Sequence, residues 1–125
     1  MHKRKKILAV VDDLLFTVKI SDAARRVGLE VEFLKSERDV VHKANEEKPL
    51  LVILDLNTGS VDPLHLITKL KGDQELKTIS LIGYLSHVQG ELKQKAHEAG
   101  ANIVMARSAF SQNLQQILKR HAGVV

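Results

Sequence analysis

The sequence predicts an α/β protein, a single doubly wound domain of five parallel strands and five helices. Three observations predict it. Short apolar runs rich in β-branched residues alternate strictly with amphipathic segments along the chain. The first, third and fourth runs are almost wholly apolar, as strands covered on both faces of a parallel sheet must be. Four of the five amphipathic segments end at a glycine, and one helix is expected after each strand, the arrangement that builds an open sheet with right-handed crossovers.

The first run, 7–11, ends at Asp12 and Asp13. Phe16, Ile20, Ala23, Ala24 and Val27 then recur at helical spacing, and Gly28 stops that helix. The second strand is expected at 30–34. Ser36 followed by Asp39 reads as a capping box for a helix through about Glu47, with Val40, Val41 and Ala44 facing inward. The third strand, 50–54, ends at Asp55. Asp62 and Pro63 form an N-cap and first-turn pair, Leu64, Ile67, Leu70 and Lys71 follow, and Gly72 is the stop. A fourth strand at 79–84 leads to a helix marked by Val88, Leu92, Ala96 and Ala99 and closed by Gly100. The fifth strand, 102–105, precedes a last helix with Phe110, Leu114, Ile117 and Leu118 on one stripe, ending before Gly123; Ser108 is its expected N-cap. Five strands so connected suit the flavodoxin-like order 2-1-3-4-5.

Composition narrows the function classes. The chain has 125 residues, 44% hydrophobic and 27% charged, with no cysteine. Disulfide frameworks, thiolate zinc sites, iron–sulfur clusters and cysteine nucleophiles are therefore excluded, in keeping with a cytoplasmic protein. No apolar run approaches the roughly 18 residues of a membrane span. The net charge of +4 comes from the basic flank 1–6, since Lys3, Arg4, Lys5 and Lys6 are four of the 19 basic residues and leave 15 against 15 acidic ones. Such a flank can touch nucleic acid, but an aromatic content of 3% offers few stacking platforms, and a solvated strand flank is the favoured reading.

In such a sheet, ligands bind beyond the carboxyl ends of the strands, where strands 1 and 3 part. Asp12, Asp13 and Asp55 are expected there. Three converging carboxylates repel one another, and a hard divalent cation such as Mg2+ is the usual compensation. The alternative is that Asp12 and Asp13 are turn or helix-cap residues and Asp55 a strand-end turn former. Arg107, just after strand 5, is expected to bring positive charge towards Asp55. Ser86 and His87, after strand 4, can supply a hydroxyl and an imidazole. A carboxylate beside a metal and a cation is suited to accept a phosphoryl group. His2, His42, His65, His97 and His121 lack metal-ligand spacing and read as surface residues. No glycine follows strand 1 closely and no Gly-x-Ser-x-Gly elbow occurs, which disfavours nucleotide-loop and serine-hydrolase functions.

The runs ILAVVDD and LVILDLN, the EAGAN turn and the MARSAF segment resemble the receiver domain of two-component response regulators, over essentially the whole chain. The resemblance implies a Mg2+-dependent phosphoprotein of signal transduction rather than an enzyme acting on other substrates. It would take a phosphoryl group from a histidine kinase or phosphotransfer protein. It also implies Asp12 and Asp13 as metal ligands, Asp55 as phospho-acceptor and ligand, and the backbone carbonyl of Asn57 as a further ligand. Arg107 and Ser86 are the candidate assisting groups. The sequence departs from the family at Arg107, where a lysine is usual, and at Ser108, where proline is. Leu85 stands at the small hydroxyl position and Val104 at the switching aromatic position. The resulting expectation is a stand-alone receiver-like module, residues 1–125, docking to an unidentified downstream protein through helix 4, strand 5 and helix 5, with Lys93, Gln94 and Asn102 on that surface. The alternative is a pseudo-receiver that binds its partner without switching.

Overall fold

The computed structural model describes residues 5–86 and 89–123. The elements run β1 (Lys6–Val10), α1 (Leu14–Arg26), β2 (Glu30–Phe33), α2 (Glu37–Glu47), β3 (Leu51–Asp55), α3 (Pro63–Lys71), β4 (Ser80–Leu85), α4 (Gly90–Ala99), β5 (Ile103–Ala106) and α5 (Arg107–Ala122). All four strand pairings are parallel and the order is β2-β1-β3-β4-β5. The expected fold class is therefore the observed one, with every strand boundary within a residue of its expected place.

Alternation along the strands sorts the core into two layers. Ile7, Ala9, Val11, Leu51, Ile53, Ile82 and Tyr84 face α1 and α5, meeting Phe16, Ile20, Leu114 and Leu118. Leu8, Val10, Val52, Leu54, Leu81, Leu85 and Val104 face the other way, against Val40, Ala44, Leu66, Ile67, Leu70 and Ala96. Every residue of β3 is buried, which is why that run carries no polar residue until Asp55.

The caps behave largely as the sequence dictates. Ser36 Oγ accepts from the Asp39 amide at 3.1 Å, and Asp62 accepts from the His65 amide at 3.2 Å. Ser108 does not cap α5. That helix begins earlier, at Arg107, with Ala106 at the N-cap, so Ser108 lies inside the first turn. Val88 and His87 lie outside the described residues, as do His2, Lys3 and Arg4. The rest of the basic flank is structural. Lys5 Nζ donates to the Ala122 carbonyl at 2.9 Å, joining the start of the chain to the end of α5. Lys6 pairs with Glu47 at 2.6 Å, Glu32 at 2.9 Å and Glu30 at 3.7 Å, and Glu47 and Glu32 push its ammonium pKa further up. This cluster ties the edge strand β2 and α2 to β1, in the way charged side chains commonly blunt a sheet edge.

Candidate functional site

At the carboxyl ends of β1 and β3 the sheet parts, and the chain places its acids there. Asp12 follows β1 on an exposed loop, yet its carboxylate is fully engaged. Oδ2 accepts from Thr58 Oγ1 at 2.6 Å and from the Gly59 amide at 3.1 Å. Oδ1 accepts from Ser60 Oγ at 2.6 Å and from Lys35 Nζ at 3.2 Å. The Ser60 and Thr58 hydroxyls above all, then Lys35 and the Gly59 amide, hold this carboxyl well below the usual carboxylate range. The residues that grip Asp12 were not legible as site residues. Their signal is the hydroxyl-rich Thr58-Gly59-Ser60 run directly after the third strand.

Asp13 is the N-cap of α1. Its Oδ1 accepts from the Leu15 amide at 2.8 Å and from Phe16 at 3.4 Å, the helix-cap role that the sequence left open. Its Oδ2 meets the Arg107 guanidinium in an ion pair. The expectation that Arg107 reaches towards Asp55 is thus corrected. Because β5 ends at Ala106 and Arg107 opens α5, its side chain crosses the start of α1, where Asp13 supplies a counter-ion and the Phe16 ring a face 4.5 Å from the guanidinium carbon.

Asp55 is 8% exposed at the end of β3. Its Oδ1 accepts from the Asn57 amide at 2.8 Å, and no cation meets it among the described residues. Burial pushes its pKa up and the Asp12 charge adds to that, while the Asn57 N–H opposes both. Asn57 spends its side chain on the loop after β4. Its Oδ1 accepts from the Ser86 amide at 2.7 Å, and its Nδ2 donates to Gln89 Oε1 at 2.9 Å. Ser86 is exposed and joins the crevice through this backbone contact. Leu85 is buried in the layer facing α2, α3 and α4, so the hydroxyl position of the resemblance holds a core leucine. Gly83 leaves room for Leu56, whose side chain stands 3.1 Å from where a Cβ would be.

The structure thus brings Asp12 and Asp55 within electrostatic reach, and commits Asp13 to α1 and Arg107. Among the described residues no group of three or more Asp, Glu or His is arranged to hold a metal ion. As placed, this donor set does not fit a divalent cation: Asp12 would have to surrender hydroxyl and ammonium donors, and Asp13 its cap and its ion pair.

The charge on buried Asp55 has a measurable consequence. Its folded-state pKa is raised, so its ionisation opposes folding as pH rises through and above the unfolded carboxylate value of about 4. Asp55→Asn keeps the acceptor for the Asn57 amide and removes the charge. It is expected to raise Tm at neutral pH by about 3 °C, roughly what 1 kcal/mol does in a domain of this size. The gain should shrink as pH falls towards 4. A thermal melt in which the variant is no more stable at pH 7.5 than at pH 4, relative to wild type, would refute the assignment.

This sheet order, with acids at the ends of β1 and β3, is the fold of the CheY-like response-regulator receiver domain. Its solved counterparts cover nearly the whole chain. The phosphorylated cyanobacterial phytochrome response regulator RcpA is 24% identical, with a TM-score of 0.77 over 94% of this chain and 91% of its own. Chemotaxis response regulator CheY4 of Vibrio cholerae is 21% identical, with a TM-score of 0.79 over 95% and 99%. The receiver domain of a Pseudomonas aeruginosa sensor histidine kinase, which has a magnesium ion coordinated in its active-site cleft, is 20% identical, with a TM-score of 0.79 over 97% and 99%. No family model and no curated protein matches the sequence. The resemblance drawn from the sequence is met at the level of the fold. No helix among the described residues is long and apolar enough to cross a membrane.

Proposed function

We propose that this chain is a cytoplasmic protein-interaction module built on the receiver fold, whose acid crevice is held in one state by its own donors. The observation that carries this reading is the closure from within of two of the four candidate metal ligands, Asp12 by Ser60, Thr58 and Lys35, and Asp13 by Arg107. A ligand shifts a conformational equilibrium only by the contacts it makes differently in the two states. The side chains of Leu85 and Val104, both buried in the core, offer a phosphoryl group no polar contact. A protein partner is supported by exposed apolar residues at the start of α1, Leu14 at 78%, Leu15 at 61% and Val18 at 54%. Lys93 and Gln94 are exposed on α4, whereas Asn102 is engaged in the fold. Nucleic acid is disfavoured as a partner because Lys5 and Lys6 are consumed by the fold.

A second reading is phosphoryl transfer from a histidine kinase or phosphotransfer protein to Asp55, which requires Asp12 and Asp13 first to release their present partners in order to hold Mg2+. Asp55 itself favours it, because among the described residues one of its carboxylate oxygens meets no donor. The two readings separate when the protein is incubated with acetyl phosphate or beryllofluoride, with and without millimolar magnesium. The first expects an unchanged intact mass, an unchanged amide spectrum and a Tm indifferent to magnesium. A magnesium-dependent mass gain of one phosphoryl group, absent in Asp55→Asn, overturns the first reading and establishes the second.

A further inference from the structure

Charge is unevenly divided between the two faces of the sheet. The helices of one layer, α2, α3 and α4, carry six lysines and arginines against six carboxylates. On the other layer, α1 and α5 carry Lys19, Arg25, Arg26, Arg107, Lys119 and Arg120 against a single carboxylate, Asp22. Asp22 pairs with Arg25, and the cap residue Asp13 with Arg107. Lys19, Arg26, Lys119 and Arg120 meet no carboxylate among the described residues, and Lys19 Nζ spends its hydrogen bond on the neutral Ser111 Oγ, at 3.0 Å. Helix dipoles favour cations in a last turn, which accounts for Arg26, Lys119 and Arg120 taken singly. They do not account for Lys19, for the near absence of acids from both helices, or for the exposed Leu14, Leu15 and Val18. Those three, at i, i+1 and i+4, point away from the buried Phe16, Ile20 and Ala23.

This surface has a direction. Each of the two helices follows a strand of one parallel sheet, so they run the same way, and the Lys19–Ser111 bond joins them. The apolar trio lies where both helices start. Arg26, Lys119 and Arg120 lie where both finish, at the far end of an α1 that is 13 residues and about 20 Å long. That arrangement selects among occupants. A second copy of the chain would set positive charge against positive charge. A bilayer suits apolar groups ringed by cations, and here the two stand at opposite ends. A nucleic acid would leave the trio unused and find Phe16 and Phe110, the aromatic residues of these helices, buried and unable to stack. A linear protein segment with aliphatic side chains at one end and carboxylates at the other satisfies both ends at once.

We propose that the α1–α5 face docks a protein segment of that chemistry, its aliphatic residues on Leu14, Leu15 and Val18 and its carboxylates on Lys19, Arg26 and Arg120. The proposal rests on the reading of the chain as a protein-interaction module and names the chemistry of the partner.

The test is a titration of the isotopically labelled full chain, without magnesium or a phosphoryl donor, followed by amide chemical shifts. The probes are two synthetic peptides of equal composition, about 14 residues long to match α1. One gathers leucines at one end and glutamates at the other; the second interleaves them. The gathered peptide is expected to shift the amides of Leu15, Val18, Lys19, Arg26 and Arg120 saturably, and the interleaved one to bind at least about tenfold more weakly. Leu15→Ser with Val18→Ser, both at exposed positions, should weaken the gathered peptide about tenfold. Arg26→Gln with Arg120→Gln should do the same and make binding less sensitive to salt. Lys69→Gln, on α3, should leave it unchanged. The proposal is overturned by unsaturable shifts, by equal binding of the two peptides, or by equal binding in wild type and either double variant. Sedimentation of the chain with phosphatidylglycerol vesicles at physiological salt also overturns it, since the face would then be a lipid-binding one. The acetyl phosphate experiment decides the module reading itself, so that reading and this face can fail separately.

Discussion

Phe16→Ala is expected to cost about 3–5 kcal/mol of stability, the usual range for truncating a buried aromatic. The side chain is 5% exposed and is one layer of a stack that runs through the α1–α5 side of the molecule. Its ring lies 5.1 Å from that of Tyr84 at an interplanar angle of 28°, and Tyr84 lies 4.8 Å from Phe110 at 10°. Arg107 stands over the Phe16 ring. The alanine variant therefore loses apolar burial and leaves a void beside Tyr84. It also loses ring–ring contact worth about 0.5–1.5 kcal/mol beyond its area, and removes the platform that orients Arg107 towards Asp13. Urea unfolding should show a lower midpoint with an unchanged slope. Phe16→Leu, which retains most of the volume, should recover well over half of the loss. A cost below about 1 kcal/mol for the alanine variant would mean that the stack does not act as a packed unit.

That stack also shows where sequence reasoning stops. Phe16, Tyr84 and Phe110 are each legible as core from periodicity, but nothing in the spacing of positions 16, 84 and 110 says that they share one column. The strands and helices were legible because burial on both faces dictates unbroken apolar runs, and because caps such as Ser36 and Asp62 act within three residues of themselves. The acids at the switch point were legible for a topological reason, since parallel strands deliver their carboxyl ends to one edge. What those acids touch was not. Whether Arg107 reaches Asp55 or Asp13 turns on where α5 begins, and a start at Arg107 with Ala106 as N-cap sends the guanidinium over α1 instead. The grip on Asp12 by Thr58 and Ser60 depends on the path of the loop after β3, which no periodicity encodes.

Asn102→Ala should be nearly as damaging, at about 2–4 kcal/mol, although the residue is solvent-exposed and the sequence suggested a docking role for it. Its Oδ1 accepts from the Leu81 amide at 2.8 Å and from Lys71 Nζ at 2.7 Å, while its own amide donates to the Leu81 carbonyl at 3.0 Å. The Lys71 ammonium also binds the carbonyls of Ile79 at 2.7 Å and Lys77 at 3.2 Å, and burial pushes its pKa down. One ammonium and one amide thus join the end of α3, the approach to β4 and the turn before β5. Gly100 belongs to the same joint. Its φ of 118° suits glycine, and a Cβ there would stand 2.8 Å from Lys71 Cγ. Alanine at position 102 leaves the Leu81 amide without its acceptor and the partly buried ammonium short of one, and each loss costs about 1–3 kcal/mol. Asn102→Asp restores both acceptors and adds a charge opposite the ammonium, so it should stand close to wild type. Chemical denaturation of the two variants, with amide exchange at Leu81, checks the joint directly: faster exchange and lower stability in the alanine variant alone identify Asn102 as a structural tie. Equal stability in all three proteins would return it to the docking surface.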